Sequence, residues 1–181
     1  MQYQTTFALR WLVHFNIFSY VPLRGSVPYS EIASEANVPE KQLRAVARMA
    51  MTNNIFAEPK PNRLAHSASS AMLATNTSML DWAKFMFNAS IPTAAKMVEA
   101  TEKWPDSVEK NETAYNLAFD HNLPFFDHLG QDAILTKQFS GYMKSVADGS
   151  GTDLIHLVNA YDWSALPADT LVIDVSLSTA A

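Results

Sequence analysis

Two histidines in the second half of the chain each follow a carboxylate directly. His121 comes after Asp120, and His128 comes after Asp127. An imidazole near a carboxylate is a common general acid–base pair, because the carboxylate orients the ring and stabilises its protonated form. Adjacent residues on a helix do not face each other, so the fold must bring the members of either pair together. The alternative is that both histidines pack or face solvent without a chemical role.

The residue inventory of the 181-residue chain excludes several other chemistries. There is no cysteine, so disulfides and thiolate catalysis cannot occur. The sequence has no HExxH motif, no histidine pair at helical ligand spacing, no phosphate-binding loop and no serine nucleophile elbow. We therefore expect no metal site.

The composition indicates a globular protein with 48% hydrophobic and 17% charged residues. No run of about 18 apolar residues occurs, so no membrane contact is expected. Without a basic, cleavable N-terminal segment, the expected location is cytoplasmic. The net charge of −5 is unfavourable for nucleic-acid binding. Lys41, Arg44 and Arg48 could still contact phosphates from a recognition helix, but a solvated helix face is the favoured interpretation in an acidic chain.

The first part of the chain has the pattern helix, turn, helix, hairpin. Residues 7–20 are apolar on nearly every face, which predicts a helix buried between subunits. Ser30 is expected to cap the next, short helix. A third helix carries apolar residues at i, i+3, i+4 and i+7, namely Leu43, Val46, Ala47 and Ala50. Residues 55–58 and 63–66 then read as two strands joined by a turn, which completes the winged-helix order.

The rest of the chain is predicted to be mostly helical. Helices are expected over residues 67–74, 78–103, 113–120 and 153–159, with a break at Pro92 in the second of these. Asp132 begins the clearest helix, whose apolar side chains share one face: Leu135, Phe139, Tyr142, Met143 and Val146. Residues 171–175 form an apolar run that predicts a buried parallel strand.

Several separated runs resemble the winged-helix dimerisation domain of fungal O-methyltransferases. These small-molecule enzymes of secondary metabolism are related to the plant caffeic acid O-methyltransferases. The runs are YSEIA (29–33), LRAVAR (43–48), IFAEP (55–59), AHSASS (65–70) and LVNAYDW (157–163). The resemblance implies a mainly α fold, with a winged-helix dimerisation domain, additional helices and a vestigial first Rossmann strand at the C-terminus. It divides the chain into a dimerisation region (1–76), a helical substrate-lid region (77–163) and a remnant of the methyl-donor domain (164–181).

The resemblance breaks down at the methyl-donor motif. Family members follow the linker with Asp-Val-Gly-Gly-Gly-x-Gly in outline, because glycines let the backbone approach S-adenosylmethionine closely. The corresponding run here, 174–181, is DVSLSTAA and contains no glycine. We therefore expect that the chain binds no cofactor and has lost methyl transfer.

The resemblance also places a phenolic-substrate cavity among the helices. The predicted substrate-binding residues are Phe85, Met86, Phe126, Phe139, Ser140 and Met143. The candidate catalytic residues, which could polarise a carbonyl or move a proton, are His121, His128, Asp127 and Tyr115.

Two functional hypotheses follow. In the first, a homodimer formed through the N-terminal helices binds an apolar, polyketide-like intermediate. It would then promote a cyclisation, isomerisation, dehydration or pericyclic step without a cofactor, largely by holding a reactive conformer. In the second, the chain is a non-catalytic dimerisation partner of a full-length methyltransferase or another pathway enzyme. A gene product without function is a third possibility.

Overall fold

The structure is a computed structural model that describes residues 3–149 and 151–173. These residues divide into two compact units, one up to Ser145 and one from Val146 onward. The helices are α1 (Tyr3–His14), α2 (Ile17–Tyr20), α3 (Tyr29–Glu35), α4 (Glu40–Met51), α5 (Ala68–Thr75), α6 (Thr77–Phe85), a π-helix (Met86–Ser90), α7 (Ile91–Ala94), α8 (Met97–Lys103), α9 (Ala114–Phe119), α10 (Phe125–Leu129), α11 (Ala133–Ala147), α12 (Leu154–Ala160) and a short 3-10 helix (Trp163–Ala165). The strands are β1 (Val27–Pro28), β2 (Ala57–Lys60) and β3 (Arg63–Ala65). The predicted mainly α fold with a small sheet is confirmed.

The sheet belongs to the winged-helix part of the first unit. Its strand order is β1-β3-β2, and β3 is antiparallel to both neighbours. Val27 pairs with Leu64, and Lys60 pairs with Arg63. The hairpin of β2 and β3 was predicted. The strand β1 was not, because two residues are too few to show an alternating pattern.

Helix α1 buries one face rather than all faces. Its buried residues recur at i, i+3, i+4, i+7 and i+8: Thr5, Ala8, Leu9, Leu12 and Val13. The predicted helix over 7–20 is divided, since Asn16 adopts the left-handed conformation with φ of 54°. Asparagine tolerates this conformation better than most residues. Its side-chain amide also donates to Ser19 Oγ at 2.7 Å, which stabilises the start of α2.

The second and third predicted helices are present, with one correction at a cap. Helix α3 begins at Tyr29 after Pro28, so Ser30 lies in the first turn and is not the N-cap. Tyr29 is fully buried and belongs to the core. In α4 the predicted stripe is confirmed, because Leu43, Ala47 and Ala50 are completely buried.

Glu58 connects the hairpin to the helices. The Arg48 guanidinium donates two hydrogen bonds to its carboxylate, at 2.8 and 2.9 Å. The backbone N–H of Asn62 and the hydroxyl of Tyr29 donate to the same carboxylate, at 2.8 and 3.2 Å. The hydrogen bonds from Arg48 are the largest cause that lowers the pKa of Glu58 to about 2. Burial, reinforced by Glu58, raises the pKa of Tyr29 to about 12.

His66 has a structural role in the same unit. Its ring contacts Ser70 Oγ at 3.0 Å and the carbonyl of Val21 at 3.1 Å, and it stacks on Phe56 with 5.4 Å between ring centroids. Burial lowers the pKa of His66, which favours the neutral ring. Ser67 caps α5 as part of a capping box with Ser70, as expected for a helix that starts here.

The second unit contains α12 and the 3-10 helix. Asp153 caps α12 by accepting a hydrogen bond from the backbone N–H of Ile155 at 2.9 Å. The predicted strand over 171–175 is wrong for its described part, because residues 171–173 are exposed and form no strand. No described strand offers them hydrogen bonds, and Asp174 and Val175 lie outside the described residues. Within the described ranges, no helix is long and apolar enough to cross a membrane.

Candidate functional site

An apolar cavity of about 450 Å³ opens among the helices of the first unit. Its walls come from α6, the π-helix, α7, α8, α9, α10 and α11. The lining residues are Phe85, Ala89, Ser90, Thr93, Ala94, Met97, Tyr115, Phe125 and Phe139. Protein sites for small organic ligands have this size and this mainly apolar lining, and aromatic faces favour a flat ligand.

The π-helix forms one wall of the cavity. In this segment the backbone N–H of Ile91 donates to the carbonyl of Met86, five residues earlier. Pro92 follows in the first turn of α7 and has no backbone N–H to give to the Asn88 carbonyl. The predicted break at Pro92 is therefore wrong, since the wider turn lets the helix pass through the proline. The interruption comes later, at residues 95–96. Single π-turns of this kind occur often at functional sites.

The opposite walls are positioned by a close crossing of α6 and α11. A Cβ atom added to Gly141 would lie 2.5 Å from Asp81 Cβ, so only glycine permits this approach. The crossing brings the Phe85 ring to 5.4 Å from Phe139 and 5.2 Å from Tyr142, measured between centroids. These aromatic contacts make a continuous wall.

A polar cluster lies behind the apolar lining and reaches it through Tyr115. The Tyr115 hydroxyl is 2.7 Å from His128 Nδ1. Burial, with a smaller effect of Asp132, raises the pKa of Tyr115, so the phenol keeps its proton. Which of the two groups donates the hydrogen bond between them depends on the tautomer of His128. The His121 ring stacks on His128 with 3.9 Å between centroids. Burial lowers the pKa of His121, and His128 lowers it further.

Asn116 holds the loop that carries His121. Its side-chain amide donates to the carbonyls of His121 and Leu123, at 3.0 and 2.8 Å. The backbone N–H of Leu123 donates to His121 Nδ1 at 3.1 Å, which leaves the proton of the neutral ring on Nε2. That Nε2 atom is buried and has no hydrogen-bond partner among the described residues. The buried, unpartnered donor leaves this cluster able to accept one further polar group.

The predicted site residues separate into three groups. Tyr115, His121 and His128 lie in contact, and Phe85 and Phe139 line the cavity, as described above. Asp127 is exposed and forms no hydrogen bond or ion pair with a described residue, so it does not join the histidines. The remaining predicted residues lie outside the lining: Met86, Phe126, Ser140 and Met143. Of these, Phe126 contacts the lining residue Phe139, with 6.1 Å between ring centroids.

The lining residues that sequence reasoning missed are mostly small. Ala89, Thr93 and Met97 follow each other at i, i+4 and i+8, with Ser90 and Ala94 beside them. This spacing puts Ala89, Ser90, Thr93 and Ala94 on one helical face, and Met97 follows the interruption at residues 95–96. A helical face of small residues next to a proline was therefore the sequence signal that could have indicated this wall of the cavity.

Neither the metal-ligating side chains nor the basic stripe on α4 adds a site among the described residues. The described part of the chain has no group of three metal-ligating side chains. In the basic stripe, Arg44 pairs with Glu40 and Arg48 pairs with Glu58. Two of the three cations are thus neutralised within the chain, in agreement with a solvated helix face.

Comparison with known proteins gives a consistent result. No protein-family model matches the chain. The O-methyltransferase aurJ of Gibberella zeae is 62% identical over 173 residues, which make up 96% of this chain and 39% of that protein. The chain is an O-methyltransferase-like protein of the fungal type. It spans about 40% of the length of the curated relatives it matches.

Solved structures show the same fold for this O-methyltransferase-like chain. OxaC superposes with a TM-score of 0.68 at 20% identity, over 80% of this chain and 38% of that one. A protein described as a pericyclic reaction enzyme superposes with a TM-score of 0.68 at 15% identity, over 90% of this chain and 42% of that one. At these identities the likeness establishes the architecture alone.

The described residues of the O-methyltransferase-like chain do not fit a site for S-adenosylmethionine. Their sheet is small and antiparallel, whereas dinucleotide and methyl-donor folds hold their ligand at the end of a parallel sheet. The run that corresponds to the donor motif, 174–181, lies outside the described residues.

Proposed function

We propose that this chain binds a flat, mainly apolar, polyketide-like intermediate of fungal secondary metabolism in the cavity beside the π-helix. The observation that carries the proposal is the wall of Phe85, Phe125, Phe139 and Tyr115 around a volume of about 450 Å³. Such a cavity binds by burial of apolar surface and by ring contacts. Tyr115 adds a polar group that is shared between the lining and the histidine cluster.

The step that we propose needs no methyl donor. The cavity would hold one reactive conformer of the ligand, which favours a cyclisation, isomerisation, dehydration or pericyclic step. In this step His128 carries its proton on Nδ1 and donates it to the Tyr115 oxygen, which leaves the phenolic proton free to be donated to a ligand carbonyl. His121 stacks on His128 and holds that ring in place. A protein described as a pericyclic reaction enzyme shares this architecture, so the fold is compatible with such a step.

The first experiment measures binding of a hydroxylated anthraquinone by fluorescence titration. Ala94 lines the cavity and is exposed, so Ala94→Trp fills the space without disturbing the core. Ala95 is also exposed but does not line the cavity, so Ala95→Trp is the matched control. We expect saturable binding that Ala94→Trp weakens at least tenfold and Ala95→Trp leaves unchanged. Equal binding by both variants would refute the cavity as the site.

The second experiment measures turnover. The purified chain is incubated with an aromatic polyketide intermediate without S-adenosylmethionine, and product ratios are followed by chromatography. We expect ratios that differ from the protein-free reaction and that return to it with Ala94→Trp. Binding without any change in product ratios would remove the catalytic part of the proposal and keep the binding part.

A second candidate function is that of a dimerisation partner, and exposed apolar side chains favour it. Tyr3 and Phe7 on α1 are 72% and 37% exposed, and Met49 on α4 is 38% exposed. Phe7 and Met49, together with Ala8 and Val46, border an apolar groove. We propose that this face forms a homodimer, or a heteromer with a methyltransferase. Sedimentation velocity tests it: Phe7→Glu should convert dimer to monomer, and a wild-type monomer at micromolar concentration would contradict the homodimer.

A further inference from the structure

A second, polar pocket of about 170 Å³ lies between α1, α6, the π-helix and α11. Arg10 and His14 reach it from α1, and Lys84 reaches it from α6. Asn88 and Gln138 complete its polar lining and contact each other, with Asn88 Nδ2 at 3.3 Å from Gln138 Oε1. Val13 and Phe87 form the apolar base. Three basic side chains and two amides thus converge on one small space.

The two permanent cations of this pocket are not neutralised. Neither Arg10 nor Lys84 forms a hydrogen bond or an ion pair with a described residue. The lining contains no carboxylate. Asp81 precedes Lys84 by one turn of α6, but it is buried against Gly141 and forms no ion pair with the lysine. In a chain of net charge −5, two adjacent cations without a partner are conspicuous.

We propose that this pocket binds a small oxyanion of the phosphate class. Arg10 and Lys84 supply two positive charges, which match a dianion, and His14 supplies a ring nitrogen beside them. The Asn88 and Gln138 amides line the same pocket and carry further N–H donors. The pocket volume of about 170 Å³ admits a ligand of a few heavy atoms, such as phosphate. The arginine fork and the lysine ammonium are the side chains that proteins use for this ligand.

The oxyanion pocket shares the π-helix with the apolar cavity but not its lining. Asn88 belongs to the oxyanion pocket, whereas Ala89 and Ser90 belong to the cavity. Likewise Gln138 lines the first and Phe139 the second. Oxyanion binding is therefore testable without any ligand in the cavity, and its outcome is independent of the proposed function.

The test is a titration of the full chain with inorganic phosphate, followed by the thermal midpoint Tm. Sodium chloride at matched ionic strength controls for screening of surface charge. We expect a saturable rise in Tm with phosphate that chloride does not reproduce. Arg10→Gln and Lys84→Gln should each shift the midpoint of the titration at least tenfold to higher phosphate. Lys41→Gln removes one exposed charge elsewhere, and it should leave the midpoint unchanged.

A second measurement keeps the proposal testable if a variant fails to fold. In the wild-type chain, the side-chain amide NMR signals of Asn88 and Gln138 should shift on titration with phosphate and saturate at the same concentration as the Tm. The proposal is overturned if these signals stay in place, or if phosphate and chloride raise Tm equally. It is also overturned if Lys41→Gln weakens the effect as much as Lys84→Gln.

Discussion

The crossing of α6 and α11 makes a strong prediction about Gly141. Replacement of glycine by alanine within a helix normally stabilises it by up to about 1 kcal/mol. Here the new Cβ would lie 2.5 Å from Asp81 Cβ, an atom that is attached directly to the backbone of α6. Relief requires the two helices to separate, and overpacking of this kind costs about 3 kcal/mol. We therefore expect Gly141→Ala to lower the stability by about 2 kcal/mol, the difference between these two effects.

The assay is thermal unfolding followed by circular dichroism. For a protein of this size, about 2 kcal/mol corresponds to a fall in Tm of about 4–8 °C. Gly130→Ala is the matched control, because its Cβ would meet the Phe126 carbonyl at an ordinary distance of 3.5 Å. Its Tm should equal or slightly exceed that of the wild type. Asp81→Gly combined with Gly141→Ala should recover part of the loss, since it restores space at the crossing. A Tm for Gly141→Ala at or above the wild-type value would refute the crossing and the wall that it positions.

Three further predictions concern titratable groups. Glu58→Gln should lower Tm by a few degrees at pH 7, because Arg48 loses a charged acceptor. The wild type should lose this advantage as the pH falls from about 4.5 towards the folded pKa of about 2. The stability of the variant should not depend on pH through this group. Because the pKa of His66 is lowered in the folded chain, this histidine takes up a proton more readily in the unfolded chain. The urea midpoint should therefore fall as the pH drops below about 6.5, and His66→Gln should reduce that fall. If the urea midpoint changes equally between pH 7.5 and pH 5.5 in the wild type and in His66→Gln, the burial of a neutral His66 is contradicted. Tyr115→Phe should keep anthraquinone affinity within about twofold. It should slow turnover by about 100-fold or more, since the hydroxyl that contacts His128 is gone. Unchanged turnover would exclude the Tyr115 phenol as the proton donor.

Much of the fold could be predicted because local signals agree with long-range packing. The apolar stripe that includes Leu43, Ala47 and Ala50 and the helix expected over residues 67–74 rest on local patterns, and both are present. The division of the first helix at Asn16 could not be predicted, because its apolar residues continue on both sides. The continuation of the helix through Pro92 could not be predicted either. It depends on a π-turn, which is defined by one backbone hydrogen bond and does not alter the spacing of apolar residues.

The candidate site was only partly accessible from sequence. Asp127 is a candidate partner of His128 because it precedes it in the sequence, but Asp127 is exposed, and the side chains that contact His128 are Tyr115 and His121. Phenol and imidazole meet because α9 and α10 pack together, which is a tertiary effect. The division into regions at residues 76 and 163 stays a prediction.

The measurement that most directly tests the central claim is methyl NMR of the chain during titration with a hydroxylated anthraquinone. The methyl groups of Ala89, Ala94 and Met97 report on the cavity, and those of Ala8 and Met49 report on the groove between α1 and α4. We predict saturable shifts and intermolecular NOEs at the three cavity methyl groups, with the groove signals unchanged. Shifts confined to Ala8 and Met49, or no NOE at Met97, would contradict a ligand site beside the π-helix.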